Sequence, residues 1–269
     1  MVDKVTLLVD ADIVAYKFSA ASERKFNWGD GVISVVQDEN YDCFAKAYDY
    51  IIELKEKLKA TDIIICLSDP DENWRKEILE SYKGNRKGIP KPLHLMAVKH
   101  HLAKVFPSYI RPTLEADDIM GILSTHPTIV QGVRIIVSSD KDLQQITGFL
   151  YNPDKDTHVR SISSANALRF HYYQTLAGDT ADNYKGCPRI GDVKANAILD
   201  RAEQLNSELS PSTKTTLDSY YWMAVVETYE AAGLSSADAL VQARVSRMLT
   251  HTDYDFKNRK VILWQPPSQ

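Results

Sequence analysis

Three short apolar runs punctuate the first half of the chain, and each leads into a carboxylate. Val5-Thr6-Leu7-Leu8-Val9 stops at Asp10, Ile63-Ile64-Ile65-Cys66-Leu67 is followed by Ser68-Asp69, and Val133-Arg134-Ile135-Ile136-Val137 runs into Ser138-Ser139-Asp140-Lys141-Asp142. Runs this short and continuously apolar predict strands buried on both faces, as in a parallel sheet. The segments between them have helical spacing. Asp12 to about Ala21 predicts a crossover helix, and from Tyr41 to Lys59 the residues Phe44, Ala47, Tyr48, Ile51, Ile52, Leu54 and Leu58 form one apolar stripe. Lys25 to Gln37, centred on Gly29-Asp30-Gly31, predicts a β-hairpin. The alternation is that of βαβ units, whose acids gather along the carboxyl edge of the sheet, where open α/β sheets bind ligands.

After Tyr151 the pattern becomes helical. Leu168 to Ala177 is apolar at helical spacing, and a Gly186-Cys187-Pro188-Arg189-Ile190-Gly191 turn then joins it to a second helix. The remainder to about Thr250 reads as mostly helical, with a short strand at Lys260 to Trp264. The expected organisation is an α/β core over 1–160, with a basic segment at 72–104, and a helical region over 161–269 with its hairpin at 184–194.

Charge changes this picture in one place. The formal net charge is −4, yet between Arg75 and Lys104 eight Lys/Arg face two acids, an excess that suits a polyanionic partner as well as a solvated helix face. Gly84, Gly88, Pro90 and Pro92 break that segment, which predicts two helices around an irregular middle. No apolar run approaches a membrane span, no basic region precedes a long apolar run at the N-terminus, and the three cysteines form no CxxC pair. The reading is a cytoplasmic protein in a reducing compartment.

The chemistry lies in the acids. At Glu115-Ala116-Asp117-Asp118 three carboxylates crowd into four positions before an apolar helical run. Acids are favoured in a helix's first turn, which accounts for two of them, and strand-end Asp10 or Asp69 alone would read as helix caps. Asp179 and Asp182 alone would be turn residues. Taken together, Asp10, Asp69, Glu115, Asp117, Asp118, Asp140, Asp142, Asp179 and Asp182 form an all-oxygen donor set without His or Cys. Such a set suits Mg²⁺ or Mn²⁺ rather than zinc, and two ions roughly 4 Å apart catalyse in-line phosphodiester displacement.

These motifs, with Ser81-Tyr82-Lys83-Gly84-Asn85-Arg86 and the run from Gly178-Asp179 through Asp182-Asn183 to Gly191, occur in an order that resembles the flap endonuclease and 5′-to-3′ exonuclease family. The C-terminal Tyr254-Asp255-Phe256-Lys257 and Val261-Ile262-Leu263-Trp264 look most like the exonucleases of T7-like bacteriophages. The resemblance implies a PIN-like α/β core and a helix-hairpin-helix of the H3TH type that grips DNA. It implies one metal group at Asp10, Asp69, Glu115, Asp117 and Asp118, and a second at Asp140, Asp142, Asp179 and Asp182. Asp10, Asp118 and Asp140 are then catalytic, together with Lys83 at the scissile phosphate and Arg86 holding it, while Tyr82 stacks on a base. Lys87, Lys185, Gly186, Arg189, Gly191 and Lys194 are the further expected DNA contacts.

The resemblance also brings K⁺ as a candidate at the hairpin, although Arg189 stands where relatives commonly carry Gly. It implies 5′-phosphate and 3′-hydroxyl products from DNA 5′ ends, flaps or duplex ends, action on RNA–DNA hybrids, and a role in phage replication or recombination in the host cytoplasm. Two rivals are a non-catalytic DNA-structure-binding protein and a PIN-type ribonuclease. The complete acidic set weighs against the first, since a binder gains by losing carboxylates near phosphates. The hairpin and the Tyr-Lys-Gly-Asn-Arg segment weigh against the second.

Overall fold

The computed structural model describes residues 4–30, 33–208 and 216–267. In chain order the elements are β1 (Val5–Asp10), α1 (Ala11–Ala21), β2 (Glu23–Asn27), β3 (Ile33–Gln37), α2 (Cys43–Lys57) and β4 (Asp62–Cys66). Then come α3 (Arg75–Ile78), α4 (Leu95–Val105), β5 (Ser108–Tyr109), α5 (Ala116–Thr125), β6 (Val133–Val137), β7 (Gly148–Tyr151) and β8 (Arg160–Ile162). The last are α6 (Ser164–Ala177), α7 (Asp192–Glu208), α8 (Leu217–Ala231), α9 (Ser236–Ser246), β9 (Tyr254–Asp255) and β10 (Lys260–Val261). Among the described residues no helix is long and apolar enough to cross a membrane.

The chain folds as two compact units, the first formed by 1–72, 88–141 and 148–161, the second by 73–87, 142–147 and 162–269. The basic segment 72–104 is therefore divided between them.

In the first unit a sheet runs in the order β5-β4-β1-β6-β7-β8. β1 pairs in parallel with β4 and β6, β4 with β5, and β6 with β7. The register sets Asp10 opposite Cys66 and Val9 opposite both Ile65 and Val137, so the three long strands end together. Alternate positions Leu7, Val9, Ile63, Ile65, Ile135 and Val137 join Ala11, Ala15, Ala47, Ile51, Val98 and Leu102 in one core. That core lies under α1, α2 and α4, while α5 packs on β1, β4 and β6. With both faces covered the strands need no polar alternation, which is why they read as unbroken apolar runs. The stripe expected from Tyr41 begins at Cys43 because the Asp42 carboxylate accepts the Phe44 and Ala45 N–H groups and caps the helix there. The expected hairpin is β2 pairing antiparallel with β3; Gly31 at its tip lies outside the described residues.

The second unit is a helical assembly. Tyr172, Leu176, Leu199, Tyr221, Val225, Tyr229 and Ala243 are buried in its core, and Trp264 packs against it. The Trp264 ring meets His171, Tyr172 and Trp222 edge-on at 5.3, 6.2 and 5.4 Å. The strand expected over 260–264 is therefore short: β10 pairs with β9 for two residues before the chain turns Trp264 into that aromatic cluster.

Candidate active site

In the first unit the acids stand where strands hand over to helices. Asp10 ends β1 and caps α1, its Oδ1 accepting the Ile13 N–H at 3.1 Å. Its Oδ2 accepts the Ser138 hydroxyl at 2.8 Å, and the same Ser138 oxygen accepts the Asp140 N–H at 3.1 Å. Ser138 thus fixes the acids of two neighbouring strands. Asp10 is 3% exposed, and its carboxyl is pushed up to about 7, first by burial and then by the negative charge of Asp12, with Asp140 adding a smaller push. Glu115 and Asp118 form a reciprocal capping box at the start of α5, each side chain accepting the other's backbone N–H. Asp118 is completely buried, Glu115 is buried, and Asp117 and Asp140 are half-buried.

Asp69 is placed differently. Burial pulls its carboxyl up, but N–H donation from Asp71, Thr113 and Glu72 outweighs this and holds it below the usual range. The Asp71 and Thr113 bonds measure 3.0 and 2.7 Å and use both carboxylate oxygens, so Asp69 organises the loop after β4.

The second unit holds Asp142, Asp179 and Asp182. The buried Asp142 accepts Gln174 Nε2 from α6 at 2.7 Å. Asp179 pairs with Tyr184 through two backbone hydrogen bonds, and its Oδ1 caps the turn at the Ala181 N–H, 2.7 Å away. Burial, followed by the charges of Asp142, Asp179 and Asp182, pushes the Tyr184 hydroxyl far above its ordinary value. Asp182 collects the motif from Tyr82 to Arg86. Tyr82 donates to Oδ2 at 2.7 Å, Lys83 Nζ stands 3.5 Å from Oδ2, and Arg86 Nη2 lies 2.7 Å from Oδ1. Lys83 itself sits at φ +53°, a left-handed turn that its N–H bond to the Asp182 carbonyl at 2.8 Å holds in place.

Several expected DNA contacts have other partners here. Tyr82 was expected to stack on a base, but its ring is 2% exposed and packs with Tyr184 and Val245. Arg75, counted in the basic excess, is fully buried and donates to the Val245 and Arg247 carbonyls at 3.0 and 2.6 Å. Gly186 was expected to offer its N–H to a phosphate; that N–H donates to Gln242 Oε1 at 2.9 Å instead. Its reason for being glycine is close approach, because at φ +62° an added Cβ would sit 2.3 Å from the Gly178 nitrogen. Arg189 adopts φ +63°, which suits the glycine expected of relatives at this position. Lys87, Lys185, Arg189, Gly191 and Lys194 are exposed, and Lys194 Nζ bonds the Arg189 carbonyl at 3.2 Å.

The five acids of the first expected metal group lie in the first unit together with Asp140, and Asp142, Asp179 and Asp182 of the second group lie in the second unit. Among the described residues no three acids, histidines or cysteines form a ready-made ligand group. The donor chemistry still fits a hard divalent cation. Half-buried Asp12 and Asp140 repel the buried Asp10, and Cys66, the thiol opposite it in the register, is pushed well above its usual range by burial and then by Asp10, Asp117 and Asp12.

Comparison with known proteins places the chain. The model of the 5′-3′ exonuclease N-terminal resolvase-like domain matches residues 5–167. The chain belongs to that 5′-3′ exonuclease family. It is a nuclease. It is 26% identical to the exonuclease of Escherichia phage T7, over 98% of this chain and 94% of that one. The flap endonuclease Xni of Shewanella woodyi is 33% identical over 47% of this chain and 54% of its own. The T5 5′-exonuclease solved with zinc shares the fold at TM-score 0.59 and 16% identity, covering 90% of this chain and 93% of that one. A bacteriophage T5 flap endonuclease solved with DNA and metal ions aligns at TM-score 0.54 and 17% identity, covering 89% of each chain.

Within the nuclease two residues of evident importance escape sequence reasoning. Ser138 looks like one loop hydroxyl among several, and Asp12 looks like an ordinary first-turn acid. Only the strand register, which brings β1 and β6 together, makes Ser138 a bridge. Only the packing of α4 on α1 gives Asp12 its partner.

Proposed function

We propose that this nuclease hydrolyses DNA phosphodiesters from 5′ ends in a divalent-metal-dependent reaction, leaving 5′-phosphates and 3′-hydroxyls. The observation that carries the reading is the set of buried and half-buried carboxylates at the end of β1, after β6 and at the head of α5, in a family of 5′-3′ exonucleases. Asp10, Glu115, Asp117, Asp118 and Asp140 of the first unit, with Asp69 beside them in sequence order, are the residues to hold Mg²⁺ or Mn²⁺; Asp142, Asp179 and Asp182 are those of the second. Two such ions, when bound, supply charge stabilisation for the phosphodiester under attack.

The chain's own side chains do the rest. Ser138 keeps Asp10 oriented, and the capping box keeps Asp118 in a single rotamer. Lys83 and Arg86 already grip a carboxylate, an anion of the same hydrogen-bonding class as a phosphate, and exchange Asp182 for the scissile phosphate when DNA binds. Lys185 and Arg189 on the loop between α6 and α7, with Lys194 in the first turn of α7, hold the DNA backbone in the manner of a helix-hairpin-helix. With Arg189 there, cationic side chains take the place of K⁺. RNA–DNA hybrids are the second substrate, and phage replication or recombination in host cytoplasm is the setting.

Digestion of 5′-flap, blunt, nicked and hybrid substrates with Mg²⁺ or with EDTA tests this, following both end labels. Mg²⁺-dependent release from the 5′ end is expected; release in EDTA, or from 3′ ends only, would sink the reading. Lys83→Ala is expected to slow turnover far more than it weakens DNA affinity, and an unchanged rate would remove Lys83 from the mechanism.

A further inference from the structure

Asp12 stands in the first turn of α1, two residues beyond Asp10, yet it does not face open solvent. Its Oδ1 lies 2.8 Å from Lys99 Nζ of α4, with the two side chains only 23% and 19% exposed. Its Oδ2 accepts the Ser68 N–H at 3.2 Å. The Ser68 hydroxyl in turn accepts the N–H of Ala116, the first residue of α5, at 3.0 Å. One carboxylate therefore connects α1, α4 and the loop after β4 to the head of the acidic helix. Its negative charge is felt at both Asp10 and Cys66.

An exposed ion pair between packed helices contributes little and has many equivalent placements. This pair is largely withdrawn from water and sits among carboxylates that already repel one another. A lysine there subtracts one charge from what an approaching cation meets, and Asp12 fixes where that charge stands.

We propose that Asp12 and Lys99 are a charge-balancing pair that sets how strongly the carboxylate edge of the first unit binds a divalent cation, Asp12 being a positioning residue for the Lys99 ammonium. The proposal rests on the reading of Asp10, Glu115 and Asp118 as cation ligands. At an effective dielectric near 80 a unit charge roughly 10 Å from a divalent ion shifts its affinity by about fourfold, and a lower dielectric enlarges the shift.

The test is a Mn²⁺ titration of the full chain without DNA, with free Mn²⁺ read by electron paramagnetic resonance. Lys99→Gln keeps a donor to Asp12 but removes the charge, and Kd is expected to fall about threefold or more. Asp12→Asn leaves the ammonium unneutralised, and Kd is expected to rise by a similar factor. The double variant returns to within about twofold of wild type, and Lys99→Arg leaves Kd where it was. Shifts of the same sign in both single variants, or none in either, overturn the pair as an electrostatic device and leave it as packing between α1 and α4. A Lys99→Arg that behaves like Lys99→Gln overturns it too. Should Lys99→Gln fail to fold by circular dichroism, Lys99→Met replaces it under the same criteria. Asp118→Asn separates the two levels: loss of Mn²⁺ binding supports the ligand reading, whereas unchanged binding defeats that reading and the pair with it.

Discussion

Asp118 and Ser138 show how tightly the carboxylates of the first unit are held. Asp118 is wholly buried and accepts the Glu115 N–H at 3.3 Å. An amide oxygen accepts that bond equally well, so Asp118→Asn keeps the cap and the fold while removing a charge. Cleavage is expected to be abolished with DNA binding retained, which a gel-shift beside a cleavage assay would show. Ser138→Ala removes the donor to Asp10 and the acceptor for the Asp140 N–H. A charge-assisted bond contributes about 1.5–3 kcal/mol, so single-turnover cleavage is expected to slow by roughly tenfold to a hundredfold. Asp10 was legible in the sequence because a continuous apolar run must end somewhere, and its last residue stands at the sheet edge. Asp12 and Ser138 were not, since their partners Lys99 and Asp10 are 87 and 128 positions away in the chain.

At the scale of the element the hairpin between α6 and α7 depends on backbone contact. A methyl at Gly186 would lie 2.3 Å from the Gly178 nitrogen and 2.5 Å from the Leu176 carbonyl oxygen, at φ +62°. At Gly191 nothing lies within 4 Å and φ is not positive. Gly186→Ala is therefore expected to destabilise the second unit by about 2–4 kcal/mol, and Gly191→Ala by less than about 0.5 kcal/mol, in urea unfolding. The sequence placed both glycines at the turn, but spacing alone cannot tell one that permits close approach from one in open space. His171 gives the same bundle a pH dependence. Its Nε2–H donates to the Ala243 carbonyl at 2.8 Å, and burial, helped by the Arg247 charge, pulls its pKa from 6.5 down to about 3. The unfolded chain binds this proton near pH 6.5 and the folded chain only near 3. The contribution is complete above pH 6.5 and is lost as pH falls toward 3, at up to about 1.4 kcal/mol per pH unit. Removing the imidazole with His171→Asn should flatten that acid limb by one proton, as unfolding curves at stepped pH would reveal.

For the whole molecule, two compact units built from interleaved segments make a single unfolding transition a poor expectation. Trp74, Trp222 and Trp264 all belong to the second unit, whereas Trp28, 71% exposed, is in the first. Tryptophan fluorescence therefore follows the second unit, and its midpoint is expected to differ from that of far-UV circular dichroism in one denaturant series. Superimposable curves would show that the units unfold together. The parallel sheet and the helical C-terminal region were both legible from hydrophobic period. The interleaving was not, because the 73–87 and 142–147 segments carry no compositional boundary.

The register of β1 against β4 and β6 has a consequence for quality control. Side chains alternate faces along a strand, so a slip of one residue would turn Asp10 to the opposite side of the sheet and bring Val9 or Ala11 to its place. Such a chain would keep nearly all of its secondary structure and most of its apolar burial, and spectroscopy would pass it. Only its specific activity would be missing. For this nuclease, the fraction of catalytically competent molecules in a refolded preparation is the most sensitive gauge of whether the central strands have been threaded correctly.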